Sequence, residues 1–180
     1  MRKWMRIGLY CISPVLVIHL KLYSIARVSG NSMSPALNPD YSAPTRDIVF
    51  INKIAPTRQD GIQLGDVVFV TSPMHPDLVL CKRVMALEDD LVCPKVKNIP
   101  DTTTWIKVPK GNCWVESDVA DNKDKWDSNK FGPIPLGLVT ARVDWIIYPF
   151  SRWGRVESKL LPASRIVKAE DVYHSDLALA

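Results

Sequence analysis

Two stretches of the chain place chemically active side chains in settings that would suit a catalytic pair. The first, Ser29 to Pro35, reads Ser-Gly-Asn-Ser-Met-Ser-Pro and has the composition of a tight turn. The second, Leu78 to Val84, sets Lys82 within an apolar run. A hydroxyl on a tight loop and a lysine desolvated by its neighbours are the parts of a nucleophile and its general base. Turns of this composition are common, so the pairing rests on both stretches together.

The alternation of side chains along a strand determines the surroundings of Lys82. Lys82 shares a face with Leu80 and Val84, while Arg83 points to the opposite face. If the Leu80 face packs against the core, burial lowers the lysine pKa, by as much as ~3–5 units when it is complete. Arg83 is then expected to stay in water. Periodicity alone fits equally well with Lys82 in solvent and Arg83 partly covered.

The turn offers two candidate nucleophiles, Ser32 and Ser34, and local sequence does not choose between them. Gly30 would allow a substrate backbone to approach closely, because it has no side chain. Backbone N–H groups of the loop formed by Gly30, Asn31 and Met33 are candidates for stabilising a developing oxyanion.

A histidine-based triad is less favoured than the serine–lysine pair. His19 lies in an apolar N-terminal segment, His174 in the tail, and His75 in a turn flanked by prolines. Each position is more typical of a structural or exposed histidine, and His75 keeps only a minor claim to a catalytic role.

Composition indicates a single globular domain with a β-rich fold. The chain has 180 residues, of which 47% are hydrophobic and 23% charged. Its 14 prolines against 8 glycines suggest many irregular connections between strands. The net charge of +4 is mild and its positive residues are scattered, which argues against nucleic acid as a partner.

The four cysteines have no spacing that suits a metal site. Cys11, Cys81, Cys93 and Cys113 form no Cys-x-x-Cys pair and stand near no suitably spaced histidine. A disulfide between Cys93 and Cys113 would need an oxidising compartment, and buried free thiols are the simpler interpretation.

The N-terminal segment is interpreted as a membrane anchor over residues 1–27. Positive residues precede the apolar run Ile7 to Leu20, which is shorter than the ~20 residues of a spanning helix. Extending the helix through Lys21 to Ala26 restores the length, since a terminal lysine can reach the interface. A cleaved secretory signal, with Ser24-Ile25-Ala26 as a small-residue site, and a buried core helix are the alternatives.

Residues 28–155 are predicted to form the folded domain, and residues 156–180 a tail. The tail offers at most one short helix, around Ala163 to Val172. Apolar, β-branched and aromatic runs bounded by turn residues predict strands at Asp47 to Ile51, Val67 to Val70, Leu78 to Met85, Trp105 to Val108, Cys113 to Glu116 and Leu138 to Tyr148. Trp105 to Glu116 is expected to be a strand, a turn and a strand.

Several motifs, in order along the chain, resemble the serine–lysine signal peptidase family. They are Ser32-Met33-Ser34-Pro35, Lys82-Arg83-Val84, Glu116-Ser117-Asp118, Asp127-Ser128 and Phe131-Gly132-Pro133-Ile134-Pro135. The resemblance runs from the anchor to about Pro149. Finer features resemble the mitochondrial inner-membrane members of the family: Leu37-Asn38-Pro39, Cys81-Lys82-Arg83-Val84 and Ser151-Arg152-Trp153-Gly154.

The resemblance implies a role for three residues. Ser32 would be the nucleophile and Lys82 the general base, which chooses Ser32 over Ser34. Ser128 would hydrogen-bond to Lys82 and orient it. The implied fold is mainly β, a folded antiparallel β-domain behind one N-terminal transmembrane helix, and the implied chemistry needs no cofactor or metal.

The resemblance also implies a location, substrates and partners. The enzyme would remove presequences or sorting signals from precursor proteins at the mitochondrial inner membrane, with its β-domain facing the intermembrane space. A sister catalytic subunit would be its partner, and substrate would bind as an added strand. A bacterial-type secretory signal peptidase and a non-catalytic β-module that stabilises a partner peptidase are the alternative interpretations.

Three positions depart from the family pattern. Ser117 stands where the family usually has glycine, which puts the conformation of that loop in question. Asn129 stands where the family has an arginine that often pairs with an acid. Gly30 occupies the place where some bacterial members carry a serine that donates to the oxyanion, so backbone N–H groups, chiefly that of Ser32, would have to do so here.

Overall fold

The computed structural model describes residues 22–40, 44–95, 105–119, 126–158 and 165–168. Runs rich in valine and isoleucine form strands in this part of the chain, as their β propensity predicts. The strands are β1 (Tyr23–Arg27), β2 (Ile48–Asn52), β3 (Val67–Thr71), β4 (Val79–Ala86), β5 (Leu91–Val92), β6 (Ile106–Lys107), β7 (Asn112–Glu116), β8 (Ile134–Pro135), β9 (Val139–Tyr148), β10 (Gly154–Arg155) and β11 (Ile166–Val167). A short helix, α1, spans Ser128–Phe131, and 3₁₀ turns span Ala55–Thr57, Leu136–Leu138 and Phe150–Arg152.

Every strand pair in the described residues is antiparallel, which confirms the prediction of a mainly β, antiparallel domain. The larger sheet has the order β1-β2-β9-β3-β4-β7-β8, and β10 pairs with β9. The smaller sheet has the order β11-β5-β6. Strand β9 is ten residues long and lies between β2 and β3, with a register shift against each. Such bulges increase the local twist, and the long strand can therefore follow a curled sheet.

The larger sheet packs an apolar cluster against each of its faces. On β3, Val67 belongs to one cluster, while Val68 and Val70 belong to the other. The first cluster includes Met33 and Leu37, which come from the turn that holds the candidate nucleophile. Burial of these two side chains therefore fixes that turn to the sheet.

Strand β1 occupies residues that the sequence assigned to the anchor. Tyr23 to Arg27 pair with β2, so their backbone groups are used in the sheet and cannot continue a helix. The extension of the predicted helix through Ala26 is wrong, and the β-domain begins at Tyr23 rather than at Val28. The apolar run Ile7 to Leu20 lies outside the described residues. Within the described ranges, no helix has the length and apolarity to cross a membrane.

Two further expectations concern the later part of the chain. The strand, turn and strand expected over Trp105 to Glu116 are confirmed as β6, a turn and β7, which belong to different sheets, because β6 pairs with β5 while β7 pairs with β4 and β8. The short helix expected around Ala163 to Val172 is wrong at its centre, where β11 pairs with β5. The chain after Val156 therefore contributes to the fold. Its two adjacent β-branched residues, Ile166 and Val167, favour a strand, and the prediction of a helix overlooked this signal.

Candidate active site

The turn that carries Ser32 is held by its own backbone and by the core beneath it. The N–H of Ser34 donates to the carbonyl of Asn31 at 3.0 Å, and the N–H of Leu37 donates to Met33 at 2.8 Å. Met33 and Leu37 are fully buried. The N–H groups of Ser32 and Met33 donate to no other described backbone group, so they are available to an oxyanion.

Asn38 fastens this turn to the strands on either side of it, a role that the sequence did not reveal. Its side chain donates to the carbonyls of Val28 at 2.7 Å and Gly30 at 2.8 Å. It also accepts from the N–H of Asp47 at 2.7 Å, while the Asp47 carboxylate accepts from the N–H of Asn38 at 2.8 Å. Asn38 has a φ of 49°, a left-handed conformation that asparagine tolerates better than most residues. The sequence signal that could have pointed to this role was an asparagine directly before a proline.

Arg152 adds a second attachment to the same turn. Its guanidinium pairs with the carboxylate of Asp47 and donates to the carbonyl of Ala36 at 2.7 Å. Because Arg152 lies on the 3₁₀ turn after β9, it connects the end of the domain to the nucleophile loop. The position of Ser32 therefore depends on residues from both ends of the β-domain.

Lys82 lies on the core face of β4, and this confirms the register that favours a buried base. The residue is 4% exposed. Val68 is opposite it on β3, and Val84 follows it on the same face of β4. Both valines are fully buried. An amine among such neighbours is desolvated, and desolvation favours its neutral form.

The expectation that Arg83 stays in water is wrong. Arg83 is 3% exposed, on the opposite face of β4. It forms a two-point ion pair with Asp118, at 2.9 Å and 2.7 Å, and donates to the carbonyls of Gly65 and Glu157. Burial of the guanidinium is tolerated because its donors are matched by a carboxylate and two carbonyls.

The structure brings Ser32 to the strand that carries Lys82. The Ser32 hydroxyl donates to the carbonyl of Cys81, the residue before Lys82, at 3.3 Å. The N–H of Asp118 donates to the carbonyl of Ser32 at 2.9 Å. Since Asp118 is also paired with Arg83, the ion pair joins β4 to the backbone of Ser32.

Ser34 and His75 point away from this arrangement. The Ser34 hydroxyl donates to the carbonyl of Pro39 at 3.5 Å. His75 is exposed in the turn between β3 and β4, where its ring meets that of Trp126 edge-on at 4.9 Å. The geometry thus favours Ser32 over its competitor and gives His75 no place beside the nucleophile.

Gly30 leaves open space next to the Ser32 backbone. A Cβ added at this position would lie 4.0 Å from the Ser32 nitrogen and would meet no closer atom. The glycine is therefore not required by packing within the chain. The absence of a side chain at this position leaves the N–H of Ser32 uncovered on the Gly30 side.

The three cysteines in the described residues are free thiols. Cys81, Cys93 and Cys113 are unpaired, so the described structure contains no bridge between Cys93 and Cys113. Burial raises the pKa of Cys81 to about 12, and burial likewise raises the pKa of Cys113 to about 12. A neutral Cys81 adds no negative charge beside Lys82.

Glu116 anchors the end of β7 just before the loop that reaches Ser32. Its buried carboxylate accepts from the indole of Trp114 at 2.9 Å and pairs with Lys95 at 2.7 Å and Arg165 at 3.2 Å. Burial raises the pKa of Glu116, but the bonds from Lys95 and Trp114 and the nearby positive charges outweigh burial and leave it below its ordinary value. The ionised carboxylate connects the smaller sheet to the catalytic region.

Asp127 and Ser128 begin α1 and face β7. The Asp127 carboxylate caps the helix by accepting from the N–H of Asn129, and it also accepts from the N–H of Ser117 at 3.3 Å. The hydroxyl of the buried Ser128 accepts from the N–H of Val115 at 2.9 Å. The predicted bond from Ser128 to Lys82 stays a prediction.

Replacing Ser128 with alanine should lower both stability and rate. Loss of the hydroxyl leaves the buried N–H of Val115 unpaired, at a cost of about 1–3 kcal/mol. If Ser128 also orients Lys82, the cleavage rate should fall strongly while the fold persists. Thermal melting and a cleavage assay measure the two effects separately.

Ser72→Ala is the matched control for this variant, because Ser72 is also buried and its hydroxyl also accepts a backbone N–H, that of His75. The control should lose stability but keep its rate. If Ser128→Ala also loses stability but keeps its cleavage rate, Ser128 has no role in the active site.

Comparisons with known proteins are consistent with this geometry. The model of the family "Signal peptidase, peptidase S26" matches residues 1–101. Mitochondrial inner membrane protease subunit 2 of Danio rerio is 39% identical over 176 residues, covering 94% of this chain and 91% of the relative. The Saccharomyces cerevisiae subunit 2 is 35% identical, covering 85% of each chain. Subunit 1 of Mus musculus is 33% identical, covering 84% of this chain and 87% of the relative. The family match and the extent of these identities show that the chain belongs to the signal peptidase family, peptidase S26.

Proposed function

We propose that this serine peptidase cleaves presequences or sorting signals from precursor proteins at the mitochondrial inner membrane, with Ser32 as nucleophile and Lys82 as general base. The observation that supports it most directly is the bond from the Ser32 hydroxyl to the carbonyl next to Lys82. A serine held there, beside a lysine on an apolar strand face, has the parts that peptide hydrolysis requires.

In the proposed mechanism Lys82 moves two protons in turn. Its neutral amine takes the Ser32 proton as Oγ attacks the scissile carbonyl, and the backbone N–H groups of Ser32 and Met33 stabilise the oxyanion. The resulting ammonium gives its proton to the leaving amine, which leaves an acyl ester on Ser32. Lys82 then deprotonates water, which attacks the ester and expels Ser32 Oγ. The Lys82 ammonium returns the proton to Oγ, so the acyl product is released and both residues are restored.

The edge of β4 is proposed as the substrate strand's partner. Among the described residues, β7 pairs with β4 only from Arg83 to Ala86, so Val79 to Lys82 have a ladder partner on the β3 side alone. Leu78 and Val79 are at least half exposed at the start of this edge. An extended peptide added there would run past Ser32 and satisfy the backbone groups of β4.

The proposed setting follows from the relatives. Several are named mitochondrial inner membrane protease subunits, of type 2 and of type 1. By analogy, we propose that this chain acts with a sister subunit, that residues before Leu22 anchor it, and that its β-domain faces the intermembrane space. A chain tethered there would meet precursors as they cross or enter the membrane.

Processing in mitochondria tests the proposal. The full chain should restore precursor cleavage in cells that lack their own subunit 2, with the new N-terminus of the precursor read by mass spectrometry. Carbonate extraction of the same mitochondria should leave the chain in the membrane pellet. Persistent uncleaved precursor despite normal expression would contradict the activity, and release into the supernatant would contradict the anchor.

A further inference from the structure

The hydroxyl of Ser117 is buried without a hydrogen-bond partner. Ser117 is 2% exposed, and of the buried side-chain nitrogens and oxygens in the described residues its Oγ is the one that makes no hydrogen bond. An unpaired buried hydroxyl is unfavourable, since alanine in its place would avoid the loss of solvation. The resemblance to the serine–lysine signal peptidases implies glycine at this position, so the side chain is an addition to the expected pattern.

The register of the sheet places Ser117 beside Lys82. Strand β7 pairs Glu116 with Arg83 and Val115 with Val84, so Ser117 is the next residue toward Lys82 along the same pair of strands. Ser117 directly follows β7, two positions after Val115, just as Lys82 stands two positions before Val84 on the same face of β4. Residues opposite each other in an antiparallel pair have Cβ atoms about 4.5–5.5 Å apart.

The backbone around Ser117 is fixed from two directions. The N–H of Ser117 donates to the Asp127 carboxylate at 3.3 Å, and the next N–H, of Asp118, donates to the carbonyl of Ser32. The hydroxyl therefore sits on a segment held against the nucleophile. Rotation to another staggered χ1 position re-aims it without moving that backbone.

The other charged and titratable groups around this end of β4 have partners of their own or are neutral. Arg83 is paired with Asp118 on the opposite face, Asp127 accepts from backbone N–H groups, and the Cys81 thiol is neutral because burial raises its pKa to about 12. The Ser128 hydroxyl already accepts from Val115. Ser117 thus contributes a hydroxyl whose acceptor capacity no described group uses.

We propose that Ser117 is a positioning residue whose hydroxyl accepts an N–H bond from Lys82 and directs the amine lone pair toward Ser32. This inference rests on the proposed function of Ser32 and Lys82. It also explains why a hydroxyl is tolerated where glycine is expected, because a rotation about χ1 lets the unpaired hydroxyl take Lys82 as its partner, in the free enzyme as well as in the reaction.

The pH dependence of cleavage tests the inference. A hydroxyl acceptor stabilises the ammonium form of Lys82 more than the neutral form, so its loss should lower the apparent pKa. In Ser117→Ala the midpoint of the rate profile should fall by roughly one pH unit, and kcat on the plateau should fall about tenfold with KM unchanged. Ser117→Thr, which keeps a hydroxyl, should keep the wild-type midpoint.

A second variant without the hydroxyl controls for poor folding of Ser117→Ala. A distant control tests whether loss of any serine hydroxyl changes the pH profile. Ser117→Gly restores the family residue and adds no atom, so it serves if the alanine variant folds poorly. Ser158→Ala removes a hydroxyl that donates to Asp66 at 3.0 Å, and it should leave the profile unchanged. Wild-type midpoints in both hydroxyl-free variants would overturn the proposal, whatever their plateau rates.

A substrate-free measurement separates this inference from the proposed function. NMR titration of lysine-labelled full-length protein in detergent, with the Lys82 signal assigned by Lys82→Met, should show the same fall in midpoint in Ser117→Ala. An unchanged Lys82 titration would contradict the bond even if cleavage were altered. A wild-type enzyme with no Ser32-dependent cleavage would instead contradict the proposed function, and the titration would still decide the role of Ser117.

Discussion

Ser32→Ala is expected to abolish precursor processing while the protein still folds and inserts. Loss of the nucleophile removes covalent catalysis, whose effect on rate is orders of magnitude, and leaves only water as the attacking group. The Ser32 hydroxyl is half-buried and makes one hydrogen bond, to the Cys81 carbonyl, so its removal should cost little stability. Processing measured in cells, together with thermal melting of the purified variant, separates the two effects.

Ser34→Ala is the control for this experiment, since it lies two residues away on the same turn and its hydroxyl bonds to Pro39. It should process precursors at close to the normal rate. Normal processing by Ser32→Ala would rule out Ser32 as nucleophile and would support the alternative of a non-catalytic β-module that stabilises a partner.

Lys82→Met should be as inactive as the serine variant and at least as stable as the wild type. Methionine keeps much of the length of lysine but has no basic nitrogen, and its thioether suits the apolar neighbours Val68 and Val84. Lys82→Arg should also be inactive, because a guanidinium stays protonated at any accessible pH. Cleavage assays and melting curves of both variants test these outcomes, and an active Lys82→Met enzyme would refute the dyad.

The wild-type pH profile gives a further check on the buried base. Cleavage should rise with pH around a midpoint well below ~10.4, the ordinary pKa of lysine, because burial favours the neutral amine that accepts the proton. A profile that rises only near the ordinary value would keep Lys82 as base but reject burial as the means of tuning it.

The sequence predicted the strands that carry the site better than it predicted their contacts. The apolar run around Lys82 correctly indicated a strand, and alternation correctly offered the core face for its amine. It could not show that Arg83 is buried too, because the matching carboxylate, Asp118, is 35 residues away in the chain. Unless its partner of opposite charge is known, a charged side chain such as that of Arg83 is expected to lie in water.

Short elements with distant partners were the other source of error. Strands β5 and β11 have two residues each, too few for a periodic pattern. They form because they pair with one another and because Glu116 holds Lys95 and Arg165 nearby. Asn38 was likewise visible as a turn residue, but its four hydrogen bonds become apparent only when Val28, Gly30 and Asp47 are assembled around it.

The bond between Arg152 and Asp47 has a consequence for the order in which the enzyme matures. These residues are 105 positions apart, and the bond from Arg152 to Ala36 spans 116. Contacts of such high sequence separation close late, because most of the chain must be in place before they form. A chain that has emerged from the ribosome or an import channel only as far as Ser128 already carries the proposed nucleophile, the proposed base and the predicted supporting hydroxyl. It lacks the arginine that secures the serine turn, so the peptidase matures only after nearly the whole β-domain is available.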